Sequence, residues 1–180
     1  MMAKVMNAAA AVSLLITVLF AALYFLGSRW AMSLAITFGT CFYHFAMRLL
    51  VGQNIHRKMQ NKAAYHKAWY QLRPFERKLY HFLKVKSWKG KMPTYDPGVF
   101  NPSMHSWEEI VQAMCQAEIV HEVIVALSFL PLLAAIPFGA FFVFLITSRV
   151  SALYDLSFVI MQRYNRPRII KFIEKERTVK

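Results

Sequence analysis

Acidic residues are scarce in this chain: nine Asp and Glu stand against 22 Lys and Arg, a net charge of +13. That imbalance calls for an anionic partner, either nucleic acid or lipid headgroups. Long stretches lack charge altogether. Residues 5–28 and 123–148 carry none, and residues 30–47 carry only the titratable His44. Runs of that length exclude an ordinary soluble domain. Cysteine is nearly absent. Cys41 and Cys115 have no framework spacing, which excludes a disulfide scaffold and a structural zinc finger. No P-loop, Rossmann glycine pattern, haem motif or nucleophile elbow occurs, so the sequence calls for no cofactor.

What is present is grease and base, segregated along the chain. Hydrophobic residues make up 57% of the sequence, with 15 Phe. Eleven of the 22 Lys and Arg fall within residues 52–106 and seven within 163–180. Basic blocks beside apolar runs follow the positive-inside pattern of membrane proteins, which favours membrane lipids over nucleic acid as the partner. The expected fold is all-α: one integral membrane domain over residues 1–180, a bundle of about four transmembrane helices with cytoplasmic amphipathic interfacial helices. Spans are predicted at about 7–26, 31–51, 117–136 and 139–161, with a basic cytoplasmic segment at 52–116 and a basic tail at 162–180. Residues 117–162 would make about 69 Å of helix, which is two crossings, with the turn at Pro137-Phe138-Gly139. Pro131 should kink the third span, and Pro167 should end or bend the fourth helix. An even number of spans places both termini in the cytoplasm, at the cell membrane.

Within the basic segment, Arg73-Pro74 marks a helix boundary. Phe75, Leu79, Phe82, Leu83 and Val85 then recur at helical spacing, predicting an interfacial helix over 74–88. Residues 90–103, with Gly90, Pro93, Pro97, Gly98 and Pro102, form a loop of the length of a lid or binding segment. Ser106 with Glu109 is a capping box that starts the helix entering the membrane.

The candidate site is the polar face of that helix. Glu118, His121 and Glu122 share one side by their i, i+3 and i+4 offsets. His44 and Arg48 lie near the cytoplasmic end of the second span, and Asp155 and Arg163 near that of the fourth. By helical rise all fall within about 10 Å of one interface. His121 and Asp155 are too short to snorkel, so a polar pocket in the cytoplasmic leaflet is expected, with Arg149 and Asp155 each paired elsewhere. A His beside a carboxylate can act as general base, and Arg48, Lys89 and Arg163 can bind phosphate or an oxyanion. Cys115 is either a packing residue or an acyl-enzyme nucleophile. Glu118-x-x-His121 is half of a di-metal carboxylate pattern, and His44, Glu118, His121 and Glu122 together have the ligand count of a mononuclear site.

Three stretches carry a family likeness: LKVKSWKGKMP (83–93), AEIVH (117–121) and QRYNRPR (162–168). In this order, between apolar spans, they resemble the glycosyl-4,4'-diaponeurosporenoate acyltransferase family of bacterial membrane proteins, over about residues 70–175. The resemblance implies acylation of a glycolipid or lipid hydroxyl at the cytoplasmic leaflet from a donor such as acyl-CoA or another acyl thioester. The matching positions are Trp88, Lys89 and Pro93, then Glu118 and His121, then Gln162, Arg163, Tyr164, Asn165, Arg166 and Arg168. On this reading His121 is the base and Glu118 orients it. His44, Arg48, Trp88, Lys89, Gln162, Arg163, Tyr164, Asn165 and Arg166 bind substrate. Two alternatives stand beside it: a membrane metalloenzyme acting on lipid, and a non-catalytic lipid-binding membrane protein.

Overall fold

The computed structural model describes residues 2–179. It is all-helical, with no strand among the described residues. Four stretches, Ala3–Phe25, Ala31–Met59, Trp107–Phe138 and Phe141–Thr178, are long and apolar enough to cross a membrane.

Helix α1 (Met2–Phe25) is built from the charge-free Ala/Leu/Val run. It stops at Gly27, whose φ of 103° is open only to a residue without Cβ. The Ser28 and Gly27 N–H groups close its last carbonyls, those of Leu23 and Tyr24. Helix α2 (Ala31–Met59) runs two turns beyond the predicted end at Val51. His56, Arg57 and Lys58 occupy its last turn, where cations favour the negative end of the helix. Gln60 and Asn61, both at positive φ, then end it.

Helix α3 (Pro74–Phe82) opens as expected, with Pro74 in its first turn. Glu76 reaches back to accept the Arg73 backbone N–H at 2.6 Å. The interfacial helix predicted over 74–88 is interrupted. Lys84 takes a left-handed conformation at φ 49°, and a separate turn, α4 (Val85–Trp88), follows. Phe75, Leu79 and Phe82 on α3 are exposed, whereas Glu76 and Tyr80 face inward.

Helix α5 (Trp107–Leu127) begins at the predicted capping box. Glu109 accepts from the Ser106 backbone and hydroxyl, and its own N–H bonds the Ser106 Oγ. Pro131 does more than kink this helix. Lacking an N–H for the carbonyl of Leu127, it ends α5 there, and Leu130–Ala134 continue as a 3-10 helix. The freed Leu127 carbonyl is taken by the Tyr43 hydroxyl at 2.8 Å. A short α6 (Ala135–Phe138) leads to the turn at Gly139 and Ala140.

Helix α7 (Phe141–Val179) runs through Pro167, so of the two expected effects the proline does not end the helix. It removes only the bond to the Arg163 carbonyl. The side chains of Arg163 and Arg166, within the turn that precedes the proline, are meanwhile anchored by ion pairs.

The described chain packs as two compact units, each discontinuous in sequence: residues 2–52 with 124–154, and residues 53–123 with 155–179. In the first, Gly39 lies against the Thr17 side chain, and the Ser128 and Ser151 hydroxyls bond at 2.8 Å. In the second, Ala63, Tyr65, Val111, Cys115 and Ile173 form a buried cluster flanked by Trp107, which stacks on Phe172. The candidate site belongs to the second unit.

Candidate functional site

Helix α5 presents Glu118 and His121 one turn apart, as their spacing requires, yet they have different partners. His121 Nδ1 lies 2.8 Å from Asp155 Oδ1. The imidazole also stacks on Phe158, with ring centroids 4.5 Å apart and planes 8° from parallel. Asp155 is 1% exposed and the His121 side chain 22%. This bond holds the ring through Nδ1 and leaves Nε2, the other ring nitrogen, outside it. The carboxylate bonded to His121 is Asp155, whereas Glu118, the partner expected from the sequence, bonds Arg163 and Arg166. Asp155 lies 34 positions away on α7, beyond the reach of any helical-spacing rule.

Glu118 is fully buried and bound by two arginines of the QRYNRPR stretch. Arg163 Nη1 donates to its Oε1 at 2.6 Å, and Arg166 Nη2 donates to its Oε2. Arg163 also grips Glu76 through Nε at 2.6 Å and Nη2 at 3.0 Å. Two carboxylates and two guanidiniums thus neutralise one another in the interior. Other arginine donors bond backbone carbonyls of the 69–71 segment, while Arg166 Nε is buried without a partner. Arg163 reaches Trp69 O at 2.9 Å and Gln71 O at 3.1 Å, and Arg166 reaches Tyr70 O at 2.7 Å. Burial opposes ionisation of Glu76. The bonds from Arg163, the Arg73 N–H and the Tyr80 hydroxyl outweigh it, so this carboxyl is held below its ordinary value. The sequence analysis does not single out Glu76. Its position at N3 behind Arg73-Pro74 was the one signal pointing to a fixed carboxylate.

The other expected residues sort by environment. Tyr164 has two cations at its ring: Lys89 Nζ and Arg168 Cζ, each 5.1 Å from the centroid. Lys89 Nζ also bonds the Asn165 side-chain oxygen. Burial, and then the charge of Arg168, push the Lys89 amine below its ordinary value. Trp88 spends its indole N–H on the Leu83 carbonyl at 3.0 Å, stabilising the α3–α4 junction. Gln162 is buried on α7. Glu122 accepts the Trp69 indole N–H at 3.0 Å and so tethers the same 69–71 segment. His44 and Arg48 fall in the first unit. There His44 is buried edge-on to Tyr43, and Arg48 donates to Ser151 Oγ at 2.8 Å. Cys115 packs wholly inside the apolar cluster of the second unit, as a core side chain.

Among the described residues no group of three His, Cys, Asp or Glu side chains is arranged to hold a metal. Both Glu118 oxygens are committed to arginine, and His121 Nδ1 to Asp155. That donor set does not suit the metalloenzyme alternative.

Residues 66–175 match a family model described as glycosyl-4,4'-diaponeurosporenoate acyltransferase. The matched stretch contains α3, α4, all of α5 and most of α7, and with them the whole His121–Asp155 and Glu76–Arg163–Glu118–Arg166 constellation. No curated protein and no solved structure matches the chain.

Proposed function

The chain belongs to the glycosyl-4,4'-diaponeurosporenoate acyltransferase family, and from that membership we propose that it transfers a fatty acyl group to a lipid or glycolipid hydroxyl at the cytoplasmic leaflet of the cell membrane. The observation that carries the reading is the buried Asp155 carboxylate on His121 Nδ1, which leaves Nε2 as an oriented base on a partly exposed ring. The acceptor hydroxyl gives its proton to Nε2 as its oxygen attacks the donor carbonyl. The tetrahedral intermediate collapses, the carbon–sulfur bond of the thioester breaks, and the proton on Nε2 passes to the departing thiolate. An ester and a free thiol result. Glu118, Arg163 and Arg166 act on this chemistry indirectly, by holding α5, α7 and the 69–71 segment in register. The four membrane-length helices and the basic residues of 52–106 and 163–180 support a multi-pass topology with both termini cytoplasmic.

The test uses full-length protein in detergent with a labelled long-chain acyl-CoA and a lipid extract as acceptor. His121→Ala should cut the transfer rate by about 10²–10⁴-fold at unchanged protein yield. Asp155→Asn, which keeps the shape but lets Nδ1 lose its fixed proton, should lower kcat with little change in KM. Wild-type rates in both variants would remove the assignment. No transfer by the wild type, with any lipid fraction, would favour a lipid-binding protein instead.

A further inference from the structure

The arginines expected to bind substrate are mostly consumed. Arg163 and Arg166 are neutralised by Glu76 and Glu118, so a ligand phosphate would have to displace a buried carboxylate to reach them. The available positive charge lies one helical turn further along. A cleft of about 280 Å³ is lined by Arg77 and Tyr80 of α3 and by Tyr164, Pro167, Arg168 and Lys171 of α7. Arg77 and Tyr80 are three apart on one helix. Tyr164, Arg168 and Lys171 follow at i, i+4 and i+7 on the other, so each set shares a face.

No carboxylate lines this cleft. Among the described residues none forms an ion pair with Arg77, Arg168 or Lys171. Nearby Glu76 is turned inward, and its oxygens are occupied by Arg163, Tyr80 and the Arg73 N–H. Arg168 donates to the Tyr164 hydroxyl at 3.2 Å, which leaves that hydroxyl's own proton to donate outward. Arg168 and Lys89 crowd the same tyrosine ring with no anion among the described residues between them. Like charges held together around a concave surface are relieved by an anion, and guanidinium forks match phosphate oxygens.

We propose that this cleft binds the phosphoryl groups of the acyl donor, a nucleotide-linked thioester. The inference rests on the acyl-transfer reading for the donor's identity, but the phosphate site stands on the cleft alone. About 20 Å of helix separates Asp155, beside the base, from Arg168. A phosphate held at Arg168 and a carbonyl presented to His121 are therefore joined only by a long extended arm. A pantetheine-linked thioester has such an arm. A phospholipid does not, because its ester lies close to its phosphate.

Binding is measured without turnover, on full-length protein in neutral detergent at low salt, with inorganic pyrophosphate, with CoA, and with nanodiscs of phosphatidylcholine with and without phosphatidylglycerol. Wild type should bind pyrophosphate and CoA in mutual competition. Arg168→Gln combined with Lys171→Gln should weaken both by about tenfold or more. Arg57→Gln combined with Lys58→Gln, equally exposed but on α2, should leave both unchanged. Arg77→Gln gives an independent reading from the other wall of the cleft and should weaken both as well. If instead only phosphatidylglycerol discs are bound, and the cleft variants lose them, the site is a phosphate site for lipid and the nucleotide donor is wrong. Undiminished pyrophosphate affinity in the cleft variants, or no pyrophosphate binding by the wild type, would overturn the site. Binding without any acyl transfer would keep the site and remove the enzymatic reading; transfer with no binding would do the reverse.

Discussion

Glu118 sits at the centre of four charges, and its removal has consequences that differ from those of removing His121. With Glu118→Ala, the Arg166 guanidinium, 1% exposed, loses its carboxylate in the interior. Breaking a buried pair in this way costs about 3–5 kcal/mol. We expect a large drop in thermal midpoint for Glu118→Ala and for Arg166→Ala, and a double variant that loses less than the two combined, since the stranded charge is gone. Differential scanning fluorimetry in detergent reads all three. His121→Ala should lose activity and, because it takes a hydrogen bond from the buried Asp155, should lower the midpoint as well. Glu76 adds a pH signature. Its folded carboxyl is held below its ordinary value, so the unfolded chain binds the proton more readily. Its contribution to stability is present above the ordinary glutamate value of about 4.3 and is lost as pH falls through the depressed folded value. The midpoint of the wild type should fall on acidification through that window, and Glu76→Gln should flatten the fall.

The junction between α3 and α4 carries backbone strain. Lys84 holds φ at 49°, a region that costs a side-chain-bearing residue about 1 kcal/mol or more and glycine little. Lys84→Gly should therefore be neutral or stabilising by up to about 1 kcal/mol, and Lys84→Val destabilising, as judged by unfolding midpoints. The junction exists because one unbroken helix cannot both direct Glu76 and Tyr80 inward and bury Val85, which is fully enclosed. The exposed Phe75, Leu79 and Phe82 keep the interfacial character expected of α3. On α7, Pro167 falls between the two arginine anchors and the cleft-lining Arg168, so one lost backbone bond is tolerated where side chains already fix the helix.

For the whole molecule, the outward face of the first unit is apolar: Leu15, Phe25, Leu26, Phe142 and Leu153 are all well exposed. Such a surface is suited to hydrocarbon. Four crossings with basic blocks on one side predict that a cysteine introduced as Ser28→Cys, in the α1–α2 turn, reacts with an impermeant maleimide on intact cells. Lys175→Cys should react only after permeabilisation. The reverse pattern would invert the proposed topology and move the acyl chemistry to the other leaflet.

Some of this was written in local chemistry. Charge-free runs of membrane length, the Ser106–Glu109 cap, the turn at Gly139 and the shared face of Glu118 and His121 each depend on residues within a few positions of one another. Local sterics and hydropathy suffice to read them. The partners were not so written. Whether His121 meets Glu118 or Asp155, whether Arg163 and Arg166 are free to hold a substrate or are spent on Glu76 and Glu118, and whether Arg77 faces Arg168 depend on how α3, α5 and α7 pack. An ionisable side chain takes its role from the nearest opposite charge, and that neighbour lies 34 positions away for His121, 45 for the Arg163–Glu118 pair and 87 for Arg163 and Glu76. No periodicity spans such distances; only burial, which makes an unpaired charge untenable, selects among the possible partners.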